Sequence, residues 1–543
     1  MAPPRPPSLR AAADKGYLAF GNASMTSAAA TPEPTPAFDE SALPGKKGLA
    51  QNAIGFGEGL VIGLASTAPA YSLAAVLGSI VAALGLVAPA ALLVAFVPMF
   101  FIAAAFYWMN RVDPDCGTTF SWVTRAMGPY LGWIGGWVVA LTGLLVIGSL
   151  ADVGARYFFE LVGWSAAADS KFAVMGLAVA LIIVLTALTV AGTQLSARVQ
   201  NVMIVVQVLA LLIFSVVAIV AVFGGGAPEG SATPSLSWFN PFAAPSFNEF
   251  LVAGLLVSVF VYWGWESCVN LTEETEDSTR SAGLAAIIST VILLVTYLSV
   301  TIAVVGFLGP DATASFEDEA ILSTTATAVL GSPLDKLVVL GVAFSAVAST
   351  QTTILPASRT LLSMARQHAL PAALGRVHPR RHTPHVATIT VGLVATVWYV
   401  ALNSALEDFL AQTLLALSLL IAFYYSLSGF ACVIYYRREI FRSAKNFVLI
   451  GVAPLIGALV LGGLFVVAIR EFVVNAEDNS ETGSTWLGVA PPLVIGVGFM
   501  LLGVVLMLAW RIGGHPEFFR RHAETVPPEL AASGGKLADA TQA

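Results

Sequence analysis

Charged side chains are scarce in this sequence: Asp, Glu, Lys and Arg make up 11% of its 543 residues, where soluble globular domains carry about 25%. That shortage excludes a water-soluble globular protein, because too few charges remain to cover its surface. Cysteine is scarcer still. Cys116, Cys268 and Cys432 are the whole set, and they offer neither a disulfide framework nor CxxC or Cys/His metal spacing. Histidine is missing from every long apolar run, since His368, His378, His382, His385, His515 and His522 all fall outside them. An intramembrane histidine relay is thereby excluded. HExxH, GxSxG, metal-spaced acid pairs and a phosphate-cradling loop are also absent, so the residues point away from an enzyme and from a resident metal or cofactor.

What is present is apolar length. Hydrophobic residues reach 57% and mean hydropathy is +0.82. A helix crossing the hydrocarbon core needs about 20 mostly apolar residues. Twelve such runs follow one another, at about 55–80, 86–109, 118–157, 172–192, 199–223, 246–271, 283–308, 336–364, 386–403, 409–435, 447–469 and 487–510. The expected fold is an all-α polytopic membrane protein with twelve transmembrane helices. The third run is too long for one straight crossing, so it is strongly tilted or extends past the bilayer. The first 45 residues, rich in Pro, Ala and Ser, and the tail after Arg521 are expected to be disordered. The apolar content of the first 45 residues is too low for a signal peptide, and Met25 is a second candidate start, with residues 1–24 an extension before it.

Basic residues set the orientation. With the N-terminus inside, the inner segments collect Lys46, Lys47, Arg111, Arg198, Arg280, Arg366, Arg376, Arg380, Arg381, Arg437, Arg438, Arg442, Lys445, Arg511, Arg520 and Arg521. The outer segments hold Arg156, Lys171, Lys336 and Arg470. This bias is the one the positive-inside rule requires, and it places both termini in the cytoplasm of a cell whose inner (plasma) membrane holds the chain. The net charge of −7 reflects acidic loops such as "ATASFEDEA" at 312–320 and carries no suggestion of nucleic acid. The cluster from Arg366 to His385 reads as a topology determinant or a lipid-headgroup contact. No feature points to a particular oligomer.

Two runs are interrupted in the same way. The first reads "GEGLVIGLASTAPAYSLAAVLGS" at 57–79, with Ser66, Thr67 and Pro69 near its middle. Pro69 removes a backbone donor and crowds the preceding turn. The sixth reads "SVFVYWGWESCVNLTEE" at 258–274, where Gly264 tolerates non-helical backbone. Either break alone is an ordinary kink or close helix contact. Breaks in spans one and six together mark the central site of a transporter. Glu266 stands beside the second break, where a buried carboxylate costs a few kcal/mol and signals function. Proton carriage and a structural bond to unwound backbone both remain open for it. Tyr262, Trp263 and Trp265 are packing aromatics or a gate over substrate. Arg280 is expected to pair with Glu273 and Glu274 in an inner gate or hinge.

These residues carry a resemblance. "VYWGWESCVNLTEETEDSTR" (261–280) looks like the sixth-helix signature of amino acid–polyamine–organocation (APC) superfamily permeases. "PDCGTTFSWVTRAMGPYLGWIGGW" (114–137), "AGTQLSARVQNVMIVVQVL" (191–209) and "PASRTLLSMARQHALPAALGRVHPRRHTPHVA" (356–387) resemble that family's segments around helices three, five and eight. The resemblance implies two inverted five-helix repeats, 48–225 and 245–436, followed by two helices in 446–511 and flanked by tails 1–47 and 512–543. It implies an amino acid or small amine as substrate, with helices one and six broken around it. Ser66, Thr67, Ala68, Pro69 and Ala70 would hold the carboxylate, while Tyr262, Trp263, Gly264 and Trp265 would meet the ammonium end.

Two departures stand out. Typical members carry a Gly-Ser-Gly-like turn where this chain has "STAPA" at 66–70, and several carry a helix-five lysine where Gln207 stands. Gln207 is expected to bond Thr353 or Ser349. Coupling by a proton through Glu266 is the leading expectation. A sodium ion held by Ser349, Thr350 and carbonyls of helix one is the alternative. A polyamine importer and an amino acid exchanger share this pattern. The rival classes are a channel, which needs a ring of pore-lining groups, and a transporter-like sensor, which needs a signalling domain.

Overall fold

The structure, a computed structural model, describes residues 47–192, 197–313, 321–406, 408–477, 485–527 and 530. The expected disordered segment 1–45 lies outside them. Among the described residues the chain is all-helical, and its two isolated bridges, Ile54–Thr275 and Trp486–Val489, build no sheet. A backbone inside lipid must satisfy its own polar groups, and helices do so residue by residue.

The elements are α1 (Phe56–Thr67), α2 (Pro69–Leu84), α3 (Ala88–Val112), α4 (Thr119–Met127), α5 (Pro129–Leu161), α6 (Lys171–Ala191) and α7 (Ala197–Gly224). After a π-helical segment at Phe250–Leu256 come α8 (Val257–Val261), α9 (Ser267–Asn270), α10 (Ser281–Thr313), α11 (Ile321–Leu330), α12 (Lys336–Arg366), α13 (His385–Ala405), α14 (Phe409–Tyr435), α15 (Ala453–Val474) and α16 (Phe499–Ile512).

Ten helices among the described residues are long and apolar enough to cross a membrane. The difference from twelve expected runs has a local cause. The first two runs form one apolar stretch of 57 residues, Phe56–Val112, and the sixth is cut short, leaving Phe247–Val261 below crossing length. The long third run is two helices rather than one tilted rod. Gly128 takes φ +99°, a conformation glycine adopts at no steric cost, and Pro129 opens α5 with its ring in the first turn.

Burial separates centre from periphery. The apolar windows of α5, α12 and α14 are 83%, 78% and 78% enclosed by protein, against 28% for α6. Ile183, Val184, Leu501 and Val505 point outward from the peripheral helices. The best enclosed helices carry the polar residues: Ser345, Ser349, Thr350, Gln351, Thr352 and Thr353 of α12 are all buried. α12 packs along α5, and α3 along α10. Beyond Arg521 the chain stays ordered for a few residues, contrary to expectation. The Glu524 amide donates to the Arg125 carbonyl at 2.6 Å and the Val526 amide to Tyr435 at 3.1 Å.

Candidate functional site

The first break is one residue wide. Ala68 adopts φ 52°, ψ 63° between α1 and α2, a left-handed conformation that costs a residue with a Cβ about 1–2 kcal/mol. Pro69 follows, with its fixed φ suited to the first position of α2. Nearby hydroxyls take up the freed backbone groups. Thr67 donates back to the Gly63 carbonyl at 2.9 Å and Ser72 to the Thr67 carbonyl at 2.8 Å. Ser349, from α12, donates to the Ser66 carbonyl at 2.8 Å, and Ser345 accepts the Tyr71 amide at 3.2 Å.

The second break spans Tyr262 to Glu266, between α8 and α9. Gly264 has φ +115°. A methyl group there would lie 2.7 Å from the Ser66 oxygen and 2.9 Å from Thr67 Cα. The two interruptions therefore touch backbone to backbone, and glycine is what permits the approach. The Ser66 and Ser267 hydroxyls join them at 2.6 Å. On the other side Tyr297 donates to the Val261 carbonyl at 2.7 Å. All nine residues anticipated for the substrate, from Ser66 to Ala70 and from Tyr262 to Trp265, lie at these breaks and are buried.

Glu266 is caged. Its carboxylate accepts from the hydroxyls of Tyr424 and of Tyr425, the latter at 2.5 Å, and from the Gly264 amide at 3.1 Å. The Trp263 indole donates in turn to Tyr424. Trp265 stacks on Tyr425 with ring centroids 5.4 Å apart, and Phe106 closes edge-on against both. Three donors suit the acceptor-only ionised carboxylate. The tyrosines escape a sequence reading because α14 lies more than 150 residues away; the adjacent pair inside an apolar run was the available signal.

The other anticipated coupling residues divide. Ser349 joins the first break, whereas Thr350 bonds back to the Ala346 carbonyl at 2.8 Å. The expected bond from Gln207 to Thr353 or Ser349 does not form. Both amide atoms of Gln207 and the Thr353 hydroxyl are buried without hydrogen-bond partners among the described residues, and the Gln207 backbone packs instead against Gly341. Asp152 of α5 went unremarked within the long third run. It is buried and accepts from Tyr399 at 2.5 Å and Asn403 at 3.0 Å.

At the end of the bundle where α3 meets α4 lies a buried ionic cluster. Lys47 Nζ lies 2.9 Å from Asp115 and 2.6 Å from Glu273, and Arg359 lies 2.8 Å from Glu274. Arg280, expected to pair with these glutamates, is exposed instead. Glu273 and Glu274 are each 5% exposed. Main-chain bonds from Ala53 and Ile54 to the Glu274 carbonyl, at 2.8 and 3.0 Å, strap the segment before α1 across this end. Asp115, Cys116 and Glu273 converge closely enough to suit a metal ion, but the Lys47 ammonium fills the space between the carboxylates. Burial would lower the Lys47 pKa, yet Asp115 and Glu273 hold it well above its ordinary value. Burial opposes ionisation of Asp115 too, and Lys47 reverses this, holding its pKa at about 2. Asp113 is pushed by burial up to about 6, although Arg125 opposes the shift.

Paired helix breaks inside an all-helical, many-spanning bundle define a membrane permease. The amino acid permease family profile matches residues 60–509, and the chain belongs to that family, within the APC permeases. It is 31% identical over 284 residues to an uncharacterized transporter of Mycobacterium tuberculosis, covering 52% of this chain and 58% of that protein. The chain thus spans little more than half the length of that relative. It is 23% identical over 404 residues to the low-affinity putrescine importer PlaP of Escherichia coli, covering 74% of this chain and 84% of that one. Its fold is similar to that of MhsT in complex with L-phenylalanine, with a TM-score of 0.54 at 12% identity, covering 75% of this chain and 98% of that one.

Proposed function

We propose that the chain is a secondary transporter that carries an amino acid or related small amine across the cytoplasmic membrane by alternating access, coupled to protons. The observation that supports this most is the contact of the two breaks at Gly264 and Ser66. Interrupted helices expose peptide dipoles that can meet a zwitterion: positive ends face a carboxylate and negative ends an ammonium. In this reading residues 66–70 hold the carboxylate and residues 262–265 the ammonium end. Twelve spans arranged as two inverted five-helix repeats plus two helices, with both termini cytoplasmic, complete the architecture.

The Lys47–Asp115–Glu273 cluster then lies on the cytoplasmic side, so this state is closed inward. Opening requires the cluster to part as α1 and α9 move from α5 and α12. Glu266 is the proton-bearing group, because a caged carboxylate beside the substrate couples its charge to occupancy. The Ser349 hydroxyl donates to the Ser66 carbonyl and so ties α12 to the first break. Counterflow in proteoliposomes, with labelled amino acids and putrescine, tests the proposal. Saturable exchange of one compound supports it; flux without saturation favours a channel, and no flux of any compound contradicts it.

A further inference from the structure

A basic and aromatic link joins α14 to the next crossing stretch, Ala444–Val474. Residues 436–443 lie between two membrane-crossing helices, so they cannot leave the bilayer face. Their inward side is pinned. The Tyr436 hydroxyl donates to the Trp108 carbonyl at 2.7 Å, the Asn446 side chain donates to the Glu439 carbonyl at 3.1 Å, and Ile440 is buried against Gly451. The outward side is unlike a water-facing turn. Phe441 is 83% exposed and leans on the exposed ring of Phe447, with centroids 5.9 Å apart. Arg437, Arg438, Arg442 and Lys445 are exposed in the same stretch. Its one carboxylate, Glu439, is buried and taken by Arg442 at 2.8 Å, and Arg437 donates to the Ile434 carbonyl at 2.9 Å. Arg438 and Lys445 have no side-chain partner among the described residues.

We propose that this link binds the headgroup of an anionic phospholipid. A cluster of about four or more cations next to a crossing helix attracts acidic lipid, and an aromatic ring at this level enters the boundary between headgroups and acyl chains. Arg438 and Lys445 meet the headgroup charge, Arg437 and Arg442 add positive potential, and Phe441 with Phe447 meets the upper acyl chain. The rings favour a lipid over a free anion, which would use the cations alone. The link between α7 and α8 supplies the contrast. It exposes Leu236 and Phe242 as fully as Phe441, yet residues 225–250 hold no Lys or Arg, so it enters the interface without preference for acidic lipid. The proposal depends on neither the transport reading nor the orientation given above.

The test uses the full chain in phosphatidylcholine vesicles, with a fluorophore on Ala444→Cys. Ala444 is exposed, whereas the native cysteines are all buried. Quenching by spin-labelled phosphatidylglycerol is compared with quenching by spin-labelled phosphatidylcholine. Phosphatidylglycerol should be preferred by at least about fivefold, the factor that one cation near an anionic surface supplies. Molar salt should remove most of that preference. Arg438→Gln with Lys445→Gln should bring it close to parity, and both side chains are exposed, so the fold is kept. A second reporter, Ala243→Cys on the exposed link between α7 and α8, should show no preference. The proposal is overturned if the two lipids quench alike at Ala444→Cys, if the preference is indifferent to salt or survives the double substitution, or if Ala243→Cys shows it equally. Loss of the preference in millimolar inorganic phosphate also overturns it, since the face would then bind free anions rather than lipid.

Discussion

Replacing Gly264 by alanine adds one methyl group at the point where the two breaks meet. That methyl would sit 2.7 Å from the Ser66 oxygen, 2.8 Å from the Ser66 carbonyl carbon and 2.9 Å from Thr67 Cα. All three are backbone or Cα atoms, so no rotamer change can relieve the overlap. The φ of +115° adds strain of about 1–2 kcal/mol for a residue with a Cβ, and overpacking adds about 1–3 kcal/mol. The sum, roughly 2–5 kcal/mol, falls on the geometry of the site because relief requires the interruptions to separate. Gly59→Ala on α1 is the control, since its methyl would meet Ala285 at an ordinary 3.8 Å. Uptake in proteoliposomes should drop more than about tenfold for Gly264→Ala, with a lower unfolding temperature, and stay near wild type for Gly59→Ala. Wild-type uptake and stability in Gly264→Ala would refute the close-approach argument.

Further outcomes follow from the caged carboxylate and the ionic cluster. Glu266→Gln should abolish accumulation driven by a pH gradient while sparing exchange; an unchanged pH-gradient response would remove Glu266 from coupling. Tyr425→Phe deletes one of three donors to that carboxylate and should cost about 1.5–3 kcal/mol in thermal unfolding; a neutral effect would mean the bond contributes nothing. Lys47→Met strands two buried carboxylates, at about 3–5 kcal/mol, and should speed maleimide labelling of Cys116, which lies 3.5 Å from the ammonium. Equal labelling would show that Lys47 does not hold this end closed. Burial holds Asp113 at about 6, whereas an unfolded aspartate titrates near ~3.9. Between those values the folded chain binds a proton that the unfolded chain lacks, so Asp113 adds stability as pH falls through about 6 and forfeits it as pH rises. Asp113→Asn should flatten unfolding temperature against pH in that window.

The helical class was legible because a lipid-exposed surface leaves its mark on composition: residues such as Ile183 and Val205 are apolar and outward-facing. The breaks were legible because Pro69 and Gly264 act on their own backbone. What lay beyond local sequence was pairing. Glu266 meets Tyr424 and Tyr425 across more than 150 positions, and Lys47, from the segment before α1, displaces Arg280 as the partner of Glu273. Asp152 was hidden by the apolar length of the run around it. Its partners Tyr399 and Asn403 come from α13, and spacing within one helix does not reveal them. Gly128 was a missed local signal, since a glycine before Pro129 marks the end of α4.

The most direct measurement is a cryo-electron microscopy map of the full-length protein with the compound that exchanges in counterflow. The account predicts ligand density wedged between residues 66–70 and 262–265, with a carboxyl group, where present, toward the start of α2. Ligand density confined elsewhere, or continuous regular helix through Ala68 and Gly264, would contradict it.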